Sequence, residues 1–177
     1  PGVGTSTFDP SPADRTMPRS LVIGDKIYLV SGFNSQNPGP HSAQGAGEDR
    51  TDVYNPATDT WQALANMPLG AEFPGACVDG QGRIHVFGGN IEPYGLDPDG
   101  FPAQFEAHQV YTPSTDTWAV YDNIPNPDEL GRYTEIQQCV AVYMEATDDI
   151  LLFPLENDNH IWGTEFATPK VWSYVFR

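Results

Sequence analysis

Apolar residues in this chain come in short runs of three to five, and the stretches between them are rich in Gly, Pro, Asp and Asn. Leu21-Val22-Ile23 is followed, after Gly24-Asp25-Lys26, by Ile27-Tyr28-Leu29-Val30; Ala76-Cys77-Val78 is followed, after Asp79-Gly80-Gln81-Gly82 and Arg83, by Ile84-His85-Val86-Phe87. Short β-branched or aromatic runs punctuated in this way are expected to be strands joined by tight hairpins. A second kind of hairpin is expected between Tyr54 and Trp61 and between Tyr111 and Trp118. There Asn-Pro-Ala-Thr-Asp and Thr-Pro-Ser-Thr-Asp supply residues that hydrogen-bond their own backbone or preset φ. No segment spaces its apolar residues at 3.6, so the pattern predicts an all-β chain.

The runs repeat. Residues 21–68 lie over residues 78–125 at a constant offset of 57, so that Asp25–Gly32 covers Gly82–Gly89, Val53–Trp61 covers Val110–Trp118, and Met67-Pro68 covers Ile124-Pro125. A fixed period of this length is the mark of a repeat architecture. The double glycine Gly88-Gly89 after a second strand, followed by Tyr111 and Trp118, resembles the kelch repeat; Ser31-Gly32, Tyr54 and Trp61 are the first copy, with Ser in place of one Gly. The resemblance implies β-propeller blades, each a four-stranded antiparallel sheet. A third copy has Cys139–Tyr143 and Ile150–Phe153 as its first two strands, Pro154-Leu155 where glycines are expected, and Val171–Tyr174 as a third strand with no fourth. Phe8-Asp9-Pro10 and Met17-Pro18 read as the shortened tail of a preceding blade, matching Tyr54-Asn55-Pro56 and Met67-Pro68. The expected organisation is one domain, 1–177: a blade tail at 1–18, blades at 19–69 and 70–126, and an incomplete blade at 127–177. About three blades is a partial propeller, or part of a ring completed by another molecule.

Composition narrows the partners. Twenty-four Asp and Glu against eight Lys and Arg give a net charge of −16, a field that repels phosphate backbones and anionic lipid surfaces, so nucleic acid is not an expected partner. No run of about 18 apolar residues is present to cross a membrane as a helix. The chain opens at Pro1 without Met, as a processed or excised sequence would, and an extracellular or secreted location is expected.

The regularly recurring Tyr54, Trp61, Tyr111 and Trp118 are expected to pack between blades and not to bind ligand. Strand parity sends the connection after the second strand of each blade to one face, and there the copies differ most. Asn34 and His41 fall in the first such insertion, Glu92, Tyr94, Asp97, Asp99 and Phe101 in the second, and His160 and Trp162 in the third. These nine are the candidate ligand-binding residues: aromatic faces beside carboxylates and amides suit a glycan or a protein surface. The alternative for the aromatics is that they fold back on their own loops. Asp97-Pro98-Asp99-Gly100 and Glu156–Asn159 are oxygen-rich, yet lack the spacing of an EF-hand, so calcium is only a weak possibility and no cofactor is expected. His85 is read as a strand residue in the register of Tyr28, and His41, His108 and His160 as lying in or near loops without metal-ligand spacing. Cys77 and Cys139 are read as buried free thiols in equivalent strands.

The resemblance leaves the function open, because kelch-like propellers include binding modules, scaffolds and copper radical oxidases similar to galactose oxidase. No two-Tyr, two-His and Tyr-linked Cys set maps onto this sequence, and no nucleophile, P-loop or dinucleotide motif occurs, so no catalytic residue is assigned. The expected function is an extracellular binding module using the long-loop face. A structural subunit that assembles with itself is the alternative, with Thr5–Asp9 or Val171–Phe176 pairing across a chain boundary, in a head-to-tail ring or filament.

Overall fold

The computed structural model describes residues 15–33, 48–89, 107–121, 139–154 and 172–174, and these are all strand, turn and extended chain, with no helix among them. The first blade is a four-stranded sheet in the order β1 (Arg19–Ile23), β2 (Lys26–Val30), β3 (Thr51–Asn55), β4 (Thr60–Ala63). The second is β5 (Gly75–Val78), β6 (Ile84–Phe87), β7 (His108–Thr112), β8 (Thr117–Tyr121). The third has β9 (Cys139–Met144), β10 (Asp149–Pro154) and β11 (Trp172–Tyr174). Every neighbouring pair is antiparallel. β11 pairs with β10 inside its own chain, while Thr5–Asp9 lies outside the described residues.

Alternation across each strand sends successive residues to opposite faces, and both faces of the middle sheet are covered. On one side Ile84, Val86 and Tyr111 pack with Tyr28, Val30, Val53, Met67 and Ala71 of the first blade. On the other, Cys77 and Phe87 pack with Cys139, Ala141, Ile150 and Leu152 of the third. Burying such side chains is worth about 1.5–3 kcal/mol each. The blades are therefore held by apolar joints between sheets, and the strand ladders themselves stay within each blade.

Polar groups reinforce the joint between blades one and two. The Trp118 indole Nε1–H donates to the Ala65 carbonyl at 2.9 Å and lies 3.2 Å from Thr51 Oγ1. Asp116 Oδ1 accepts from the Ala65 amide at 2.9 Å and from Tyr111 Oη at 2.7 Å. Gln109 clamps Leu69, accepting its N–H at 2.9 Å and donating to its carbonyl at 3.0 Å. Tyr54 and Tyr111 are buried and their rings lie 4.9 Å from Trp61 and 5.2 Å from Trp118, which places the recurrent aromatics in the packing.

The repeat is not perfectly constant. Tyr28 and His85 are equivalent in β2 and β6, but their partners Leu21 and Cys77 are 56 apart in sequence and not 57. Between the equivalent pairs Val22–Ile27 and Val78–Ile84, the second-blade hairpin holds five residues, Asp79–Arg83, where the first holds four, Ile23–Lys26. Its extra residue is accommodated by the Asp79 carboxylate, whose Oδ1 accepts from the amides of Gln81 and Arg83. The same slip corrects the reading of Met17-Pro18. These residues correspond to Phe73-Pro74 and not to Met67-Pro68. Met17 and Phe73 both adopt left-handed φ, 54° and 57°, immediately before a Pro that leads into the first strand. Gly32 and Gly89 close the comparison: a Cβ on Gly32 would press on Thr16 O and Pro18, and one on Gly89 on Glu72 O and Pro74.

Candidate functional site

Antiparallel order divides the connections into two classes. The turns β1–β2, β3–β4, β5–β6, β7–β8 and β9–β10 all lie at one end of the sheets and are tight. The β3–β4 and β7–β8 turns share one lock: Tyr54 Oη donates to Asp59 at 2.6 Å and Tyr111 Oη to Asp116 at 2.7 Å, with both aspartates at left-handed φ. Tyr143 donates to Asp148 at 2.8 Å in the same way, although its turn is the inner hairpin of the third blade. The common Tyr-x4-Asp spacing was visible in the chain and could have announced this third lock. At the opposite end, the β2–β3, β4–β5, β6–β7, β8–β9 and β10–β11 connections are all long. Asn34, His41, Glu92, Tyr94, Asp97, Asp99, Phe101, His160 and Trp162 belong to three of these, and all nine lie outside the described residues, as do the calcium-like segments 97–100 and 156–159.

What the described residues do bring together is a cleft of about 380 Å³ between the second and third blades, at the tight-turn end, lined by Asp79, Gln81, Arg83, His85, Tyr143, Asp148 and Ile150. Arg83 grips the Asp79 carboxylate through Nε and Nη2 at 2.7 and 2.6 Å. His85 Nε2 lies 3.1 Å from the same Asp79 oxygen, and His85 Nδ1 lies 3.0 Å from His108 Nε2. Both imidazoles are fully buried. His108 stacks on Phe87 at 4.4 Å and 12°, with Tyr121 at 5.4 Å. Burial pulls His85 below the usual imidazole range against the opposing pull of Asp79, and burial with His85 and Arg83 nearby takes His108 down to about 3. The hydrogen bonds from Arg83, His85 and the turn amides outweigh burial at Asp79 and lower its pKa.

His108 is therefore not a loop residue: it opens β7, and its place follows from the repeat, where it matches Thr51 as His85 matches Tyr28. Antiparallel pairing sets Phe87 opposite His108, which puts residue 85 on the same face two positions along. That register was the signal for the pair. Among the described residues no group of three His, Cys, Asp or Glu could hold a metal ion. Cys77 and Cys139 are free and buried in the same joint, and burial pushes their thiols up to about 12 and about 11.

A second polar cluster lies within the first blade and its lead-in. Arg15 Nη2 pairs with Asp52 Oδ2 at 2.7 Å, with the two side chains 1% and 0% exposed, and Arg50 approaches the other Asp52 oxygen at 3.7 Å. Arg15 also donates to the carbonyls of Arg50 at 3.0 Å, Leu29 at 3.3 Å and Ser31 at 3.4 Å. Both Nη groups of Arg15 are engaged by Asp52 and by the protein's own backbone, which fits a structural role.

The model of the Kelch motif matches residues 14–68, the first blade with its lead-in. The Kelch-like protein terF of Aspergillus terreus is 31% identical over 137 residues, covering 74% of this chain. The chain belongs to the kelch-repeat family. A solved fungal alcohol oxidase, described as showing catalytic diversity among the AA5 family and in complex with copper, superposes on 80% of the kelch chain with a TM-score of 0.56 at 16% identity. That likeness is one of fold, and the sheets are β-propeller blades. The kelch chain spans 28% of the length of terF and 27% of the oxidase.

Proposed function

We propose that this kelch chain is a binding module that recognises a protein surface through the face built by its long connections. The observation carrying this is the division of the connections: the tight turns share one end of the sheets, and the long, compositionally unequal segments share the other. A rigid scaffold with its long, unequal connections on one face is the arrangement of a recognition surface. Asn34, His41, Glu92, Tyr94, Asp97, Asp99, Phe101, His160 and Trp162 are the candidate contacts, offering aromatic area and carboxylates to a partner, and the −16 charge favours a basic patch on it. An extracellular setting goes with this reading. Photo-crosslinking groups placed at Phe101 and Trp162 should capture the partner, whereas one at Ser114, on the tight-turn end, should not. Equal capture at Ser114 overturns the proposal.

The side-chain chemistry favours a glycan as the second reading, since Tyr94 and Trp162 with Asp97 and Asp99 could cover and hydrogen-bond a sugar. A glycan panel that leaves the fluorescence of these aromatics unchanged removes it. Self-assembly would now rest on Thr5–Asp9 or on the far edge of β11, because the near edge of β11 is already paired with β10.

A further inference from the structure

We propose that Asp79, His85 and His108 form a proton-sensitive latch that holds the third blade on the second at neutral pH and releases it in acid.

The direction of the chain follows from its fixed end. Asp79 carries a carboxylate that accepts from Arg83 and from the turn amides, so His85 Nε2 must bear the proton that it shares with Asp79 at 3.1 Å. His85 Nδ1 is then a bare acceptor, and His108 Nε2–H donates to it at 3.0 Å. Burial favours the neutral form of both rings, and the chain from Asp79 then holds both as Nε2–H tautomers. One proton added to His85 turns its Nδ1 into a donor, so His108 must move its own proton to Nδ1 to accept at Nε2, and the new cation lies in a fully buried pair. A second, on His108, places a cation against Phe87 in a fully buried stack.

The latch sits where its release has a structural consequence. His85 and Phe87 face the third blade: His85 lines the cleft with Tyr143, Asp148 and Ile150, and Phe87 packs with Cys139, Ala141, Ile150 and Leu152. The corresponding positions in the joint between blades one and two are Tyr28, Val30 and Thr51, which do not titrate in this range. One joint is thus sensitive to acid and its repeat-equivalent is not. Among the described residues the titratable or charged groups around the pair are Asp79 and Arg83 on the β5–β6 turn, Cys77 on β5, Tyr121 on β8, Cys139 and Tyr143 on β9 and Asp148 on the β9–β10 turn. Of these groups, only the two histidines change charge between pH 6.5 and 5 in the opened state, because an unfolded carboxylate titrates nearer 4 and thiols above 8.

The sign is set by linkage. Histidines depressed in the folded joint take up protons when it opens, so the stabilisation is complete above about pH 6.5 and is lost as the pH falls towards the folded values. Each histidine makes opening about tenfold easier per pH unit. The test is native-state hydrogen exchange on the whole chain at pH 6.5 to 5, corrected for intrinsic rates. Protection of 139–154 should fall ten- to a hundredfold per pH unit while that of 51–63 stays constant, and His108→Gln should lower the slope by one proton. Equal slopes for both segments, or an unaltered slope in His108→Gln, overturn the proposal. Should that variant fail to fold, imidazole nitrogen shifts of the unaltered protein decide the matter: Nε2–H tautomers at both rings down to pH 5 support the latch, and ordinary titration near 6.5 refutes it.

Discussion

Replacing Arg15 by Met removes the positive half of a buried pair and leaves the rest of the site to respond. Asp52 would lose a 2.7 Å partner and keep only Arg50 at 3.7 Å, whose side chain is 30% exposed. The carbonyls of Arg50, Leu29 and Ser31 would lose a donor each, though the last two bonds are long. A charge-assisted bond of this length is worth about 1.5–3 kcal/mol, and stripping one partner from a buried pair costs about 3–5 kcal/mol in all. Asp52→Leu alone should cost a similar amount, since it strands the guanidinium, which burial already makes unfavourable for charge and which Asp52 stabilises. Arg15→Met with Asp52→Leu removes both charges, and should recover at least about 2 kcal/mol of the summed single losses. Urea unfolding followed by circular dichroism at pH 7 measures all four proteins. Single losses below about 1 kcal/mol, or singles that simply add, would show that the pair is not the buried, mutually dependent unit described above.

Two further outcomes follow from the joints. Trp118→Phe keeps an aromatic ring but deprives the Ala65 carbonyl of its donor, and unfolding should show a loss of about 1–2 kcal/mol, abolished when the same change is made at a site without an interblade bond. The thiols of Cys77 and Cys139, buried and pushed up to about 12 and about 11, should react with a thiol reagent at pH 8 more than a hundredfold more slowly in the native protein than in urea; equal rates would place them outside the joint.

The blades were readable in the chain because their signals are local: short apolar runs, turn residues at fixed offsets and a Tyr–Trp pair that recurs. β9 and β10 were placed to within one residue at each end, and the place of β11 followed from the same signals. The one-residue slip in the first hairpin was hidden because the longer matches on β2, β3 and β4 dominate any alignment, and an Asp side chain absorbs the added residue without disturbing β6. Arg15 was passed over for a different reason. It lies outside the strands in an unremarkable sequence, and only the packing of the first blade takes it out of water against Asp52. The His85–His108 pair was within reach of the repeat register, but His108 borders an insertion and was assigned to it.

The Tyr–Asp locks and the joints differ in how much chain they close. Each lock links residues five apart, whereas the Trp118 to Ala65 bond spans 53 positions and the Gln109 clamp 40. Closing a short loop costs little entropy and a hairpin forms within microseconds, while contacts between distant positions wait on it. The hairpins are accordingly the units that assemble first, and the seams between sheets are the last places to form and the first to part.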